Sequence, residues 1–153
     1  MFKDSQFKII KEQIEEFFKK MKIGGEIEVK KPKDSTIAID LKIEEPQILI
    51  GERGQTLIEI QHLLKVILRK KIKDQFYIDL DINDYKKKKI EYLKEMARSL
   101  ADEVALLKKE KFLPPMSSYE RRIIHLEIAE RKDVTSQSFG EEPERKVVIK
   151  PYP

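Results

Sequence analysis

The run Ile48-Leu49-Ile50-Gly51-Glu52-Arg53-Gly54-Gln55-Thr56-Leu57-Ile58 joins an apolar segment to an amphipathic one through a Gly-x-x-Gly turn. Glycines at this spacing let backbone approach a ligand closely, because no Cβ stands in the way. A helix opening just behind the turn is expected to aim free N–H groups and its positive dipole end at the same point. That combination favours an anion, and phosphate is the commonest candidate. Arg53 offers a fork of donors that fits phosphate oxygens, whereas Glu52 places a like charge beside such a ligand. The pattern is short, so its flanks decide what it means.

Upstream, Phe7, Ile10, Ile14, Phe17, Phe18 and Met21 recur every three or four residues among Lys and Glu. This predicts an amphipathic helix over 4–21, ended by Gly24-Gly25. Alternation of Ile27 and Val29, and then of Ile37, Ile39 and Leu41, predicts two strands. Pro32-Lys33-Asp34-Ser35 between them makes a hairpin. Residues 47–50 form a short helical turn into Gly51. Behind Gly54, Leu57, Ile60, Leu64 and Ile67 or Leu68 share a helical stripe that closes on Arg69-Lys70-Lys71, where cations suit the dipole. Phe76, Ile78, Leu80 and Ile82 then alternate as a third strand, with Asp79 and Asp81 on its exposed face. Residues 1–82 therefore read as one small α+β unit.

In 83–153, Asn83 or Asp84 is expected to cap a long helix running to about Lys109, with Ile90, Leu93, Ala97, Leu100, Val104 and Leu107 on its buried stripe. Lys111 to Met116 breaks it and can hold a short edge strand. Ser117-Ser118-Tyr119-Glu120 is a capping box for a helix to about Ala129. Residues 134–139 and 145–150 are strand-like, joined by the Gly140-Glu141-Glu142-Pro143 turn. On the helix between, Arg121 and His125 stand four apart and share a face that reads as solvated, while Ile124 and Ile128 point to the core. Such a pair can hold a phosphate by charge and hydrogen bonds, and the imidazole adds a stacking surface.

Of 153 residues, 40% are hydrophobic and 39% charged, so the core must be thin or divided. Lys and Arg number 32 against 28 Asp and Glu, a formal net charge of +4. Attraction for phosphate must come from local patches. Lys86-Lys87-Lys88-Lys89 is one basic run, read as a solvated charge run. The absence of cysteine excludes disulfide and thiol chemistry and suits a reducing cytoplasm. No apolar run approaches the ~20 residues of a membrane span, and the N-terminus lacks the apolar core of a signal peptide. Two histidines far apart, no phosphate-loop lysine motif and no metal constellation leave an activated nucleophile without parts. Asp79, Asp81 and Asp84 lack the further ligands a divalent cation needs. No catalytic role, metal or cofactor is expected.

The order helix–strand–strand–short helix–Gly-x-x-Gly–helix–strand, with Ile50 before the turn and Gln55-Thr56-Leu57-Ile58 after it, resembles a type II KH domain. That resemblance implies a three-stranded sheet with helices on one face. It also implies a loop, Gly51, Glu52, Arg53 and Gly54, that clamps the sugar–phosphate backbone of a short single strand, with bases in an adjacent apolar groove. Pro115-Met116-Ser117-Ser118-Tyr119-Glu120-Arg121-Arg122-Ile123-Ile124-His125, followed by 135–149, resembles the domain named for its Arg-xxx-His signature, the R-three-H domain. This implies single-stranded nucleic-acid binding through Arg121 and His125, with Arg145 at the family's nearby basic position, on a three-stranded sheet with two helices. A KH unit followed directly by this domain is similar to the Jag (SpoIIIJ-associated) family, also called KhpB. Members commonly carry a further small N-terminal domain, which the start of this chain leaves no room for.

The resemblance implies a non-catalytic, cytoplasmic binder of single-stranded RNA, with single-stranded DNA as a second candidate, acting as a post-transcriptional regulator or RNA chaperone. The competing reading is an adaptor that pairs with a small KH-domain protein, RNA being incidental.

Overall fold

A computed structural model describes residues 2–153 of the chain. It divides after Lys86 into two compact α+β units, each with a three-stranded sheet. The first comprises α1 (Asp4–Lys20), β1 (Glu26–Val29), β2 (Thr36–Lys42), α2 (Gln47–Ile50), a 3-10 turn (Glu52–Gly54), α3 (Gln55–Arg69) and β3 (Tyr77–Ile82). β1 pairs antiparallel with β2, and β2 pairs parallel with β3. A parallel pair needs a crossover, and here it is the segment α2–turn–α3. The Gly-x-x-Gly loop thus lies in the connection that defines the sheet. Ile10, Ile14 and Phe18 of α1 and Leu57, Ile60, Leu64 and Leu68 of α3 pack with Ile37, Ile39, Leu41, Ile78, Leu80 and Ile82, as the periodicity predicts.

One expectation at the end of this unit fails, and one of the two cap candidates is engaged elsewhere. Asp81 alternates onto the outer face but is buried, because its carboxylate accepts the Ile82 N–H at 2.9 Å and the Lys86 N–H at 3.0 Å. The Asn83 side chain does not cap the helix. It clasps Ile43 instead, accepting from the Ile43 N–H at 2.9 Å and donating to its carbonyl at 2.8 Å. Lys86 is not simply solvated either: its Nζ reaches Asp79 at 2.6 Å and Gln61 at 3.1 Å. These contacts keep the first residues of the next helix with the first unit.

That helix is α4 (Tyr85–Leu107), followed by β4 (Lys111–Phe112), α5 (Ser118–Ala129), β5 (Val134–Phe139) and β6 (Lys146–Pro151). The antiparallel sheet runs β4-β6-β5, so β4 and β5 are edges. The buried stripe of α4 is Leu93, Ala97, Ala101 and Val104. It uses Ala101 where the periodicity favours the larger Leu100, and Leu107 is exposed. Two fully buried alanines allow close approach of the helix to its neighbours, which a leucine at 101 would prevent. α5 starts on the expected capping box: Ser117 N–H donates to Glu120 Oε2 at 2.8 Å, and Glu120 N–H to Ser117 Oγ at 3.3 Å. Its Ile124 and Ile128 join Leu113, Met116, Val134, Val147 and Ile149 in the second core. No helix among the described residues is long and apolar enough to cross a membrane.

Candidate nucleic-acid interface

In the loop, Gly51 has φ 72° and ψ −179°, and Gly54 has φ 76° and ψ 13°. The first conformation is open essentially to glycine alone, and the second is left-handed. Arg53 itself is left-handed, with φ 54°, which turns its exposed side chain and that of Glu52 out to solvent at the tip. Part of the expected cradle of free N–H groups is consumed by the turn: the Gly54 N–H donates to Gly51 O at 3.3 Å and the Gln55 N–H to Glu52 O. Gly51 also lies over the start of α3, so close that a Cβ would sit 2.9 Å from the Thr56 nitrogen. The loop's outward chemistry is therefore the Arg53 guanidinium, countered by Glu52. Tyr85 supports it from behind, its ring 3.0 Å from where a Gly54 Cβ would stand. Nothing in the sequence marks Tyr85, because the contact joins residues distant in the chain. Ile48 and Ile58, 71% and 53% exposed, leave apolar surface on either side of the loop.

The Arg/His pair departs from the expected solvated face. Arg121 is buried; its Nη1 donates to Glu142 Oε1 at 2.9 Å and to the Met116 carbonyl at 3.4 Å. His125 is half-buried between α5 and the edge strand β5, with Nδ1 2.7 Å from Ser136 Oγ and Nε2 2.8 Å from Ser138 Oγ. Sequence reasoning misses these serines, although their spacing of two on a strand carries the signal, since alternation puts both on the face that meets the helix. Both ring nitrogens are thus engaged and the ring plane is fixed. Burial, then the positive charges of Arg121 and Arg145, push the imidazole pKa below its ordinary 6.5. Arg145 is half-buried in the turn before β6, held by a bond from Nη1 to Gly140 O at 2.6 Å. Arg121, His125 and Arg145 therefore converge, and the loop and this cluster lie one in each unit. Beside His125 opens a cleft of about 660 Å3, lined also by Arg131, Lys132, Ser136 and Tyr152. Arg131 is neutralised there by Asp102 and Asp133.

The depressed imidazole pKa has a signed consequence. Between the folded value and 6.5 the unfolded chain binds the proton more tightly, so stability from this group is complete above pH 6.5 and is lost as pH falls below it. In urea titrations from pH 7.5 to 5, His125→Gln is expected to lose less stability than the wild type over the acid part of the range. Parallel curves for the two proteins would contradict this.

A family profile described as the R-three-H domain matches residues 91–151. Among curated proteins, the chain is 36% identical over 139 residues to an RNA-binding protein KhpB of Clostridium symbiosum, covering 90% of this chain and 63% of that protein. It is 38% identical over 102 residues to an RNA-binding protein KhpB of Lactiplantibacillus plantarum, covering 67% of this chain and 32% of that one. Identity to an RNA-binding protein KhpB of Bacillus subtilis is 34% over 116 residues, or 74% and 56% of the two chains. The chain spans less than two thirds of the length of these relatives.

Proposed function

The chain belongs to the KhpB (Jag) family and carries an R-three-H domain, and from that premise we propose that it is a non-catalytic protein that binds single-stranded RNA. One contact is the convergence of Arg121, His125 and Arg145, and this observation carries the reading. Three basic groups held by hydrogen bonds on a rigid helix–sheet junction form an anion site, and the two arginines add their field to burial in depressing the imidazole pKa. A docked phosphate reverses that field, so binding draws a proton onto His125 and strengthens as pH falls.

The second contact is the Gly51–Gly54 loop, taken as the clamp of a type II KH domain over residues 1–82, with the R-three-H domain in 83–153. Support comes from the helix–strand–strand–helix–helix–strand order, the mixed sheet β1-β2-β3 and the placement of the loop in its crossover. Arg53 takes a phosphate while Ile48 and Ile58 offer apolar surface to the bases. Glu52 weakens this contact relative to the other. The corresponding cellular role is that of a cytoplasmic post-transcriptional regulator or RNA chaperone.

The test is fluorescence anisotropy with a labelled oligouridine across a salt series. Binding at micromolar or tighter affinity is expected. With Arg53, Arg121 and Arg145 each meeting a phosphate, the logarithm of the association constant should fall against that of salt with a slope of about −2, at roughly −0.7 per contact. Arg53→Gln should cost about threefold to tenfold and lower the slope. Absence of salt-sensitive binding, with a protein co-purifying after nuclease treatment, would favour the adaptor reading instead.

A further inference from the structure

The face of the second sheet turned away from α4 and α5 carries a surface that the Arg121/His125 cluster does not use. Strand register places Phe112, Val148 and Gln137 in one row across β4, β6 and β5. Lys146 and Phe139 form the next row on one side, and Lys150 and Thr135 the next on the other. Alternation sends all of them outward, because the residues between them, Leu113, Val134, Val147 and Ile149 among them, belong to the core. Phe112 is 47% and Phe139 57% exposed, with ring centroids 5.7 Å apart and planes at 66°. Val148 is 2% exposed yet lies outside the core cluster, so it is covered by groups on its own face. Lys146 Nζ stands 5.3 Å from the Phe112 centroid, and Lys150 Nζ reaches Gln137 Oε1 at 3.4 Å. The seven residues of these three rows include two lysines and no carboxylate.

Two phenylalanines held half in water on the two edge strands forfeit apolar burial unless something covers them. The basic charge selects among occupants. A second copy set face to face would bring the four lysines of these rows together with no carboxylate within the rows to answer them. A single-stranded nucleic acid answers both features: its bases have π faces that stack on aromatic rings whatever their sequence, and its phosphates meet the lysines. We propose that this face is a base-stacking platform for single-stranded nucleic acid, with Phe112 and Phe139 taking bases and Lys146 and Lys150 the flanking phosphates. The proposal rests on the reading of the chain as a single-strand binder and adds a further contact to it.

The experiment titrates oligouridine, and in parallel oligothymidine, into the full chain, following the ring resonances of Phe112 and Phe139 by NMR and affinity by anisotropy. Both ring signals should shift. Phe112→Ala/Phe139→Ala should weaken binding about tenfold or more, and Phe112→Tyr/Phe139→Tyr should restore it, since a phenol ring stacks as well. Unmoved ring signals in the wild type, or affinity of the alanine variant within twofold of wild type, overturn the platform. If binding still weakens on changing Arg53 or His125, the proposed function survives that result. If the wild-type chain binds neither oligomer at all, the function itself falls and the platform with it.

Discussion

Gly51→Ala is expected to unfold the crossover of the first unit, at a cost of about 3 kcal/mol or more. Holding a residue with a side chain at φ 72°, ψ −179° costs of order 1–3 kcal/mol by itself. The added Cβ would then lie 2.1 Å from Thr56 Oγ1, 2.7 Å from Thr56 Cβ and 2.9 Å from the Thr56 nitrogen. The hydroxyl can rotate away, but the nitrogen belongs to the first turn of α3 and moves only if the helix does. Overpacking of that kind costs typically about 1–3 kcal/mol more. Gly54→Ala is milder: a left-handed alanine costs about 1 kcal/mol, and the tightest neighbour is the edge of the Tyr85 ring at 3.0 Å, which can tilt. Urea unfolding should therefore rank Gly51→Ala well below Gly54→Ala, and equal losses would contradict the geometry. In consequence, aspartates at both glycines would report a damaged fold rather than a lost ligand contact. The exposed tip, Glu52 and Arg53, is where the loop's binding can be probed without disturbing its shape.

The same loop shows which parts of this molecule are legible in the sequence. Local rules suffice where one segment determines its own conformation. The stripe Ile10–Ile14–Phe18, the alternation 37–39–41 and the Ser117/Glu120 box all lie where periodicity and capping chemistry put them. Sequence reasoning misses where the partner is distant in the chain. Asp81 looks exposed by alternation, yet the backbone returns over it and supplies the Lys86 N–H. Asn83 is a good helix cap in isolation, but Ile43 offers it two bonds at once. Leu100 outranks Ala101 in hydrophobicity, yet Ala101 is the one fully buried, while Leu100 packs against the second core only in part. Spacing finds the Arg121/His125 pair but not its environment: the serines that fix the imidazole and the carboxylate that holds the guanidinium come from β5 and the turn beyond it.

That carboxylate leads to the other large effect expected. Glu142 is 59% exposed in its side chain, whereas Arg121 is 10% exposed and has its Nη1 committed to it. A carboxylate on a guanidinium occupies the geometry a phosphate would take. Under the proposed function, Glu142 is an internal stand-in that keeps Arg121 aligned and is displaced or shared when RNA docks. Arg121→Gln should lower oligouridine affinity by about 10- to 100-fold, since a hydrogen bond to a charged group contributes roughly 1.5–3 kcal/mol. Glu142→Gln should act in the opposite direction, tightening binding about threefold to tenfold by removing both competitor and repulsion. Its effect on stability should stay within about 1 kcal/mol, because the exposed carboxylate is already screened by water. The decisive measurement is the double variant. If Glu142 acts by occupying Arg121, then its removal gains nothing once residue 121 is glutamine, and the cycle shows a coupling comparable to the single gain. If Glu142→Gln tightens binding equally in both backgrounds, the carboxylate merely repels RNA at a distance and Arg121 is not the group it guards.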